Sequence, residues 1–361
     1  MTRRLIAGTV LAALAGAAAQ AQEGPINITT YGGAFGAAVN EAFVKPFTAV
    51  TGVQTTMVDN DNPPAMLKAE VEAGNITSDV YDVEQSDVIR LCDEGLIEPI
   101  DPAILPAAAD GTPATEDYLP SALHDCATAI MVWSTVIAYD TEAFPDAAPA
   151  TVADFFDTDR FPGKRGIIKR PKYALEFALL GDGVPPDQVY EVLSTPEGVD
   201  RAFAKLDSIK DEVIWWEAGA QAPQLLADKE VSMTLAYNGR IFDAIVSEGK
   251  PFAFVWDGVN LDMDYWVVPK DAPNKDVAMQ FIAFASDPAR QADLSKYIAY
   301  GPPRKSAAAS VGTYKDGTTQ MAPYLPTTPE NAERALVNDA AFWADHDAEL
   351  SERFNSWLAG A

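Results

Sequence analysis

Apolar runs and amphipathic segments alternate along the chain, and their order predicts strands that are separated by helices. Residues 27–31 have the pattern of a strand, and after Gly32-Gly33 the apolar residues of 37–51 recur with helical spacing. Pro46 is expected to kink or shorten that helix because it lacks the backbone N–H. This alternation favours a mainly parallel α/β sheet over a sandwich of two antiparallel sheets.

The same pattern predicts the remaining elements. Further strands are expected at 79–83, 129–139, 166–169, 231–236 and 252–256. Further helices are expected at 65–73, 87–92, 152–156, 173–180, 196–210, 241–248, 274–286, 288–295 and 331–358. No internal repeat and no low-complexity linker interrupts this order, so two domains would be connected through strands rather than through a flexible tether.

The late stretch NLDMDYWVVP, residues 260–269, has an unusual pattern for a strand. In an extended chain Asp262, Asp264 and Trp266 lie on one face. The other face carries Leu261, Met263, Tyr265 and Val267. Two carboxylates beside an indole indicate either a solvated strand face or a face that is turned toward a polar ligand.

The N-terminal residues have the features of a secretory leader. Arg3 and Arg4 are followed by a short apolar segment and by Ala19-Gln20-Ala21, which has small residues where signal peptidase reads the chain. We therefore expect residues 1–21 to be a signal peptide that is cleaved after Ala21. A membrane anchor is the alternative, but the apolar segment is shorter than the ~20 residues that span a bilayer. The mature protein is expected in the periplasm.

Composition narrows the class of partner. The 361 residues include 53 acidic and 26 basic side chains, and the net charge of −27 offers no basic patch to nucleic acid. A hydrophobic content of 48% with 22% charged residues is typical of globular proteins. A chain of this length exceeds the size of one core, so we expect two domains in a monomer.

Cysteine and histidine are too rare for most metal or redox chemistry. Cys92 and Cys126 are the two cysteines, and in an oxidising compartment one structural disulfide is favoured over two buried thiols. Two histidines, His124 and His346, cannot build an HExxH zinc site. The chain also lacks a Walker A loop, a GxSxG elbow and a GxGxxG fingerprint. We therefore expect neither a metal nor a cofactor.

Aromatic residues beside acids or amides are the most informative chemistry in the chain. Trp216 adjoins Glu217, Tyr237 precedes Asn238-Gly239-Arg240, and Tyr300 lies further on. Aromatic walls with carboxylates suit an ammonium group, through cation–π attraction and charge-assisted hydrogen bonds. Ligands of α/β proteins bind beyond the carboxyl ends of strands, where several of these residues are expected. Core packing is the alternative for each of them taken alone.

A paired-acid hydrolase is a weaker alternative. Asp262 and Asp264 could serve a glycosidase, but side chains two positions apart on one strand lie roughly 7 Å apart and point the same way. They would not flank a bond from opposite sides. A structural envelope protein is a third hypothesis, which the aromatic and acidic residues and the lack of repeats disfavour.

The chain resembles a known family in several segments. These are TTYGGAF (29–35), FVKPFTAVTG (43–52), SDVYDVEQSD (78–87), LCDEGLIEPID (91–101), VWSTVIAYD (132–140), LAYNGR (235–240), DYWVVPK (264–270) and YIAYGPPRKSA (297–307). They are similar to the periplasmic solute-binding proteins of ABC importers, in the branch of spermidine/putrescine and γ-aminobutyrate receptors. The resemblance extends from about Asn27 to Leu358.

The resemblance implies a type II periplasmic-binding-protein fold, in which two α/β lobes joined by strand crossovers close on a solute. The crossovers are expected near 133–140 and 256–267. The first lobe is then discontinuous, comprising 26–135 and 262–330, and the second comprises 136–261. The C-terminal helices, 331–361, are expected to pack on the first lobe.

The resemblance also implies a set of ligand-contacting residues. By position these are Tyr31, Gly33, Phe35, Glu84, Gln85, Ser86, Arg170, Tyr173, Trp216, Glu217, Tyr237, Arg240, Asp262, Asp264 and Tyr300. Asp264, supported by Asp262, would neutralise an ammonium group, and Tyr31, Trp216, Tyr237 and Tyr300 would form apolar walls. Arg170 and Tyr173 stand where polyamine receptors carry acids. Arg240, whose planar guanidinium suits a carboxylate, is similar to the γ-aminobutyrate branch.

The function implied is that of a non-enzymatic receptor. It would capture a small amine-bearing solute, either a diamine or polyamine or a zwitterionic ω-amino acid such as γ-aminobutyrate, and deliver it to an inner-membrane ABC permease. A small organic anion bound through Arg170 and Arg240 is the alternative within the same fold.

Overall fold

The computed structural model describes residues 24–360, and its strands form one mixed, ten-stranded sheet. The strands are β1 (Ile26–Thr30), β2 (Thr55–Asp59), β3 (Val80–Glu84), β4 (Leu123–His124), β5 (Ala127–Asp140), β6 (Arg165–Ile168), β7 (Val213–Trp216), β8 (Met233–Tyr237), β9 (Phe252–Val267) and β10 (Leu336–Val337). The predicted leader, residues 1–21, lies outside the described residues.

Fifteen α-helices of the described residues connect and cover the strands. They are α1 (Gly33–Val39), α2 (Lys45–Thr51), α3 (Pro63–Ala73), α4 (Gln85–Asp93), α5 (Ala114–Asp117), α6 (Val152–Phe156), α7 (Pro171–Gly181), α8 (Val189–Leu193), α9 (Pro196–Asp207), α10 (Gln221–Ala227), α11 (Asn238–Val246), α12 (Lys275–Ala285), α13 (Pro288–Leu294), α14 (Lys305–Ala308) and α15 (Ala340–Ala359). Within 24–360, none of them is long and apolar enough to cross a membrane.

Two long strands, β5 and β9, carry the chain between two groups of parallel strands. The order is β2-β1-β3-β9-β5-β8-β6-β7, with β4 beside β5 and β10 beside β9. Strand β1 pairs in parallel with β2 and β3, and β6 does so with β7 and β8. The central pairs β3–β9, β9–β5 and β5–β8 are antiparallel. We call β1–β3 with α1–α4 the first lobe and β6–β8 with α7–α11 the second lobe.

The two expected crossovers fall on β5 and β9. Every residue of β5 is buried, as expected for a continuous apolar run that is covered on both faces. The strand predicted at 252–256 and the stretch NLDMDYWVVP form one strand, β9, which pairs with β5 along most of its length. The residue borders given above for the two lobes stay a prediction.

Most predicted helices and strands are present, with ends shifted by a few residues. The expected disturbance at Pro46 takes the form of a π-helical turn, Asn40–Val44, between α1 and α2. Proline has no backbone N–H, so one hydrogen bond of the helix is missing there. A wider turn of this kind tolerates the missing bond. Two edge strands, β2 and β7, were not predicted. The helix predicted at 331–358 begins only at Ala340, because β10 pairs with β9 before it.

The C-terminal helix α15 contacts both lobes. The sequence predicts that it packs on the first lobe, and it contacts α4 there, but it also contacts α7 of the second lobe. Near its end Trp357 packs against Phe203 and Trp215, with ring centroids 5.4 and 5.7 Å apart. Aromatic side chains of α9 and β7 therefore pack against the end of α15 and bring it into contact with the second lobe.

The two cysteines form the predicted disulfide. Cys92 at the end of α4 is bonded to Cys126, which immediately precedes β5. The bond ties a helix of the first lobe to the start of a crossover strand. His124 lies close to both sulfur atoms, but a disulfide offers no thiolate to a metal ion.

Candidate functional site

A cavity of about 690 Å³ opens between the two lobes. It lies at the carboxyl ends of strands from both lobes, as expected for a ligand site in an α/β sheet. Tyr31 follows β1 and Glu84 ends β3, whereas Arg170 follows β6 and Tyr237 ends β8. Asp264 contributes from the crossover strand β9.

The cavity brings together most of the residues expected from the sequence. Tyr31, Phe35, Glu84, Arg170, Glu217, Tyr237, Arg240, Asp264 and Tyr300 line it. Gly33, Gln85, Ser86, Tyr173, Trp216 and Asp262 do not line it. Of these, Tyr173 donates a hydrogen bond to Glu84, Trp216 packs against Tyr237 and Asp262 pairs with Trp133 across the strands, so all three lie directly behind residues that line the cavity.

Four acidic side chains share one face of two adjacent strands. In the antiparallel pair β3–β9, Glu84 lies opposite Asp264 and Asp82 lies opposite Trp266. Directly opposed residues point to the same side of a sheet, as do residues two apart on one strand. Asp82, Glu84, Asp262 and Asp264 therefore lie on the same face, and all four are buried.

Two of these acids are compensated by cations from the second lobe. Glu84 accepts hydrogen bonds from Arg170 (2.9 Å) and from Lys172 (2.8 Å). Lys172 also forms a 2.8 Å ion pair with Asp262, and the hydroxyl of Tyr173 donates to the same carboxylate over 2.9 Å. Burial raises the pKa of Glu84, but the charges of Arg170 and Lys172 outweigh it and lower that pKa to about 2.

Asp264 has no cation among its hydrogen-bonding partners in the described chain. Its Oδ1 accepts a hydrogen bond from the indole Nε1 of Trp133 over 2.8 Å. Burial and then the charges of Asp82 and Glu84 raise the pKa of Asp264 well above its usual range. A negative charge here is therefore costly until a positive group enters the cavity.

Arg240 presents a second uncompensated group to the cavity. Its Nη2 donates a 3.4 Å hydrogen bond to the backbone oxygen of Tyr31, and no partner for its buried Nε lies within residues 24–360. Gly33 and Gly219 leave it room, because a Cβ there would lie 2.5 Å from Nη1 and 2.8 Å from Nε, respectively. The guanidinium can therefore receive a planar anion such as a carboxylate.

Aromatic rings form the walls between these charged groups. Trp133 packs edge-on against Tyr237, with ring centroids 5.0 Å apart, and Phe35 lies 5.9 Å from Tyr300. Trp216, expected in the wall itself, instead lies behind Tyr237 with the ring centroids 5.7 Å apart. Its role is to support the wall.

At the start of α7 the backbone of Lys172 and Tyr173 departs from helical geometry. Tyr173 has φ +72°, a left-handed conformation that costs a bulky residue on the order of 1–3 kcal/mol. This turn directs both side chains into the acidic face of the cavity wall, where Tyr173 is fully buried. Their ion pair and hydrogen bonds offset the strain.

The geometry excludes the paired-acid mechanism. Asp262 is held by Lys172 and Tyr173 and does not reach the cavity, whereas Asp264 does. The two carboxylates thus have different surroundings and do not flank a common space. A cavity whose aromatic walls bring together Asp264 and Arg240, neither with an ion-pair partner in the described chain, is suited to binding rather than to hydrolysis.

Comparison with known proteins identifies the family. The sequence model of the bacterial extracellular solute-binding proteins matches residues 42–327. The chain belongs to this family. It is therefore a solute-binding protein of the ABC-transporter type and not an enzyme, as the resemblance implied.

Relatives of this solute-binding protein cover nearly its whole length. It is 47% identical over 343 residues to a "Gamma-aminobutyric acid-binding protein" of Pseudomonas aeruginosa, covering 95% of this chain and 93% of that one. A solved structure of the PBP MotA from A. tumefaciens B6 in complex with glucopine has a TM-score of 0.83 and 32% identity, covering 92% and 99% of the two chains. A solved GABA receptor has a TM-score of 0.78 and 32% identity, covering 93% and 98%. These matches confirm the type II fold.

Several residues of this solute-binding protein's site were not predicted. Asp82 and Lys172 lie one or two positions from expected site residues, but their burial depends on how the strands and the β6–α7 loop pack. Trp133 has the pattern of a core residue, and its bond to Asp264 is a tertiary contact. The mouth of the cavity is partly formed by the C-terminal helix, through Asp347, Ser351 and Asn355.

Proposed function

We propose that this solute-binding protein captures a small zwitterionic ω-amino acid of the γ-aminobutyrate class and delivers it to an inner-membrane ABC permease. The observation that carries the proposal is that Asp264 and Arg240, an acid and a guanidinium without ion-pair partners in the described chain, line the same cavity. Both groups also influence Tyr300. Burial raises the pKa of Tyr300 most, the charge of Arg240 lowers it and the charge of Asp264 raises it, so both groups lie near the same tyrosine.

In the proposed complex the two ends of the solute are recognised by opposite charges. The ammonium group lies against Asp264, with Trp133, Tyr237 and Tyr300 supplying aromatic surface. The carboxylate accepts hydrogen bonds from Arg240. The 47% identity to a protein named for γ-aminobutyric acid supports this assignment.

Diamines and polyamines fit this charge pattern less well. A second ammonium group would need a second acid facing the solute, but Glu84, which lies opposite Asp264, is already bound by Arg170 and Lys172. Arg240 would repel a second cation near Asp264. A simple organic anion is disfavoured for the opposite reason, because Arg170 is occupied by Glu84 and the anion would leave Asp264 without a positive partner.

Closure between the lobes completes the proposed mechanism. A solute that touches Asp264 on the crossover strand and Arg240 on the second lobe favours the closed arrangement by its differential affinity for it. The closed pair of lobes then offers a docking face to the permease. We propose that the protein works as a monomer in the periplasm, after removal of residues 1–21.

A ligand panel tests the proposal. The full-length gene would be expressed in a Gram-negative host, the periplasmic protein purified, and its N-terminus read by mass spectrometry. Thermal unfolding would then be followed with γ-aminobutyrate, 5-aminovalerate, putrescine, spermidine, betaine and succinate. A ligand at 100 times its Kd stabilises the native state by ~2.7 kcal/mol, so the ω-amino acids should raise Tm by several degrees.

The outcomes discriminate between the ligand classes. A shift with putrescine and none with γ-aminobutyrate would replace the ω-amino acid by a diamine. A shift with succinate alone would establish the organic anion. An Asp264→Asn variant should lose the response to every amine while its own Tm stays at least as high as before, because a buried acid has been neutralised.

A further inference from the structure

Asp82 is a buried acid beside the cavity that the binding model above does not use. Its side chain is 0% exposed, and neither carboxyl oxygen accepts a hydrogen bond of ordinary geometry in the described part of the chain. Asp264 lies within hydrogen-bonding reach of it, and the backbone amide of Tyr31 also approaches it. An unpaired carboxylate in such a place would be expensive, so its protonation state requires an explanation.

The four acids on this face differ in whether they have an ion-pair partner. Glu84 and Asp262 are each ion-paired with Lys172. Asp82 and Asp264 have no ion-pair partner within residues 24–360, although they lie on the same two strands. The second lobe therefore supplies a positive charge to Glu84 and Asp262 and none to Asp82 and Asp264.

Two neighbouring buried carboxyl groups do not both ionise at neutral pH. The charge of each one disfavours the charge of the other, and burial adds to the cost. Burial raises the pKa of Asp82 and the pKa of Asp264 well above the usual range. A hydrogen bond with Asp264 lowers the pKa of Asp82 and the charge of Glu84 raises it, whereas the charges of Asp82 and Glu84 both raise the pKa of Asp264. A single proton shared between the two groups would relieve this cost while the cavity is empty.

Other charged groups around the pair set the field but do not neutralise it. From α4, β3 and β9 come the anions Asp87, Glu84 and Asp262, and from the second lobe come the cations Arg170, Lys172 and Arg240. Tyr31, Tyr237 and Tyr300 face the same region, and the pKa of each is raised by burial first, so all three stay neutral. The cations other than Arg240 are committed to Glu84 and Asp262.

We propose that Asp82 and Asp264 act as one unit that carries a proton in the empty cavity and gives it up when an ammonium group binds. The proposal rests on the proposed function above and deepens it. The solute enters with its ammonium already protonated, the proton of the acid pair passes to solvent, and the positive charge of the ligand takes its place. The charge at the acid pair is thereby unchanged by binding, and the carboxylate of the solute is balanced by Arg240.

This exchange makes Asp82 a positioning and specificity-determining residue. It keeps Asp264 neutral until a cation arrives, so that only a solute with a positive group recovers the cost of ionising the pair. Affinity for the ω-amino acid should rise about tenfold per pH unit where the empty pair is protonated, since one proton is released per solute bound. The rise should stop above the pKa of the empty pair.

Infrared spectroscopy of the ligand-free protein gives the first test. A protonated carboxyl group has a C=O band that is separate from the carboxylate bands. At neutral pH the wild type should show such a band that the double variant Asp82→Asn/Asp264→Asn lacks. The control is Asp140→Asn, at the far end of β5, where a buried carboxylate lies away from the cavity. A double variant that loses only carboxylate absorption would overturn the proposal.

Calorimetry of solute binding gives the second test. Titration of γ-aminobutyrate in two buffers of different ionisation enthalpy should yield close to one proton released per site for the wild type and for Asp140→Asn. Asp82→Asn still has Asp264 and Arg240, so it should bind, but with less than half of that release and a flatter dependence on pH. Equal proton release and equal pH dependence in Asp82→Asn would overturn the inference.

The two tests separate failure of the inference from failure of the proposed function. If no ω-amino acid binds to the wild type, the proposed function falls, while the infrared experiment still decides whether the acid pair holds a proton. If the solute binds without proton release, the receptor function stands and the exchange does not. Circular dichroism confirms that each variant is folded before either result is read.

Discussion

The guanidinium of Arg170 donates a 2.9 Å hydrogen bond to the carboxylate of Glu84, although the two residues lie 86 positions apart and on different lobes. Lys172 binds the second oxygen of the same carboxylate over 2.8 Å. Glu84 therefore connects the two lobes through ion pairs that do not require a bound solute. Its pairs with two cations hold the cavity wall together and leave Asp264 and Arg240 for the ligand.

Replacing Glu84 with glutamine should weaken the closed arrangement. The amide keeps the shape but loses a charge that two cations share, and breaking hydrogen bonds to charged groups costs ~1.5–3 kcal/mol. We expect solute affinity to fall roughly tenfold to a hundredfold and small-angle scattering to show a more extended ligand-free protein. The control is Glu142→Gln, which removes the exposed pair with Lys229 and should change neither quantity.

Replacing Arg240 with lysine should separate solutes by their carboxylate. Lysine keeps the positive charge but cannot donate two parallel hydrogen bonds, so γ-aminobutyrate should bind at least tenfold more weakly. Affinity for a monoamine of similar length without a carboxylate should stay within about twofold. Arg201→Lys, in an exposed pair with Asp182, is the matched control. Calorimetry with both solutes measures the difference, and equal losses would contradict the assigned role of Arg240.

Gly33→Ala should impair binding more than it impairs folding. Gly33 has φ +61°, and a Cβ on it would lie 2.5 Å from Nη1 of Arg240. Gly52 has φ +77° and no atom within 4 Å of such a Cβ, so Gly52→Ala carries the backbone strain without the contact. Each variant should lose about 1–2 kcal/mol of stability, but only Gly33→Ala should lose affinity for carboxylate-bearing solutes. Similar affinities for the two variants would refute the crowding argument.

Glu176 should make the stability of the protein depend on pH. Burial raises its pKa to about 7, and its Oε1 accepts hydrogen bonds from Trp343 of α15 (2.7 Å) and from Tyr190 (3.1 Å). The folded protein then binds a proton more tightly than the unfolded chain. This group therefore costs nothing below the unfolded pKa of 4.5, and its penalty grows to about 3 kcal/mol as pH rises through 7.

The Glu176→Gln variant isolates that contribution. Glutamine can accept the same hydrogen bonds without ionising, so the variant should match the wild type near pH 5 and exceed its free energy of unfolding by about 3 kcal/mol near pH 8. Guanidinium titrations at both pH values measure the difference. A constant offset between the two proteins at all pH values would contradict the assignment.

Removing the disulfide should lower thermal stability without affecting the site. Cys92 and Cys126 enclose a segment with a sequence separation of 34, and a crosslink of that length contributes about 4 kcal/mol by restricting the unfolded chain. The double variant Cys92→Ala/Cys126→Ala should melt at lower temperature, and a reducing agent should bring the wild type to about the same value. An unchanged Tm would show that the unfolded chain gains little freedom from the loss of the bond.

The sequence predicted the elements whose pattern is set by their own burial. Strand β5 is apolar on both faces because it is covered on both faces, and the helix at Pro63 begins and ends at residues with fixed backbone preferences. Strand β2, at one edge of the sheet, has a mixed burial pattern and polar residues that resemble a loop. Strand β7, at the other edge, is the short apolar run Val213–Trp216, which has the composition of a strand and was missed. Strand β10 exists only because β9 offers it a partner.

The sequence analysis named several of the charged residues that line the cavity, but not which of them form ion pairs with each other. The resemblance led to Asp262 and Asp264 together, and only the three-dimensional arrangement separates them, because Lys172 reaches one and not the other. That reach depends on the left-handed turn at Tyr173, a conformation that no sequence pattern favours for tyrosine. Asp82 is an acid in the interior of a strand, and its proposed role depends on its neighbour Asp264, which also lacks a cation.

The position of α15 at the mouth of the cavity has a practical consequence for detecting the solute. Asn355 on this helix lines the mouth and is exposed, and every cysteine of the described chain is already oxidised. A thiol introduced by Asn355→Cys is therefore a unique attachment point for an environment-sensitive dye. Movement of either lobe against this shared helix would change the dye's emission, and the receptor would become an optical sensor of its own cargo.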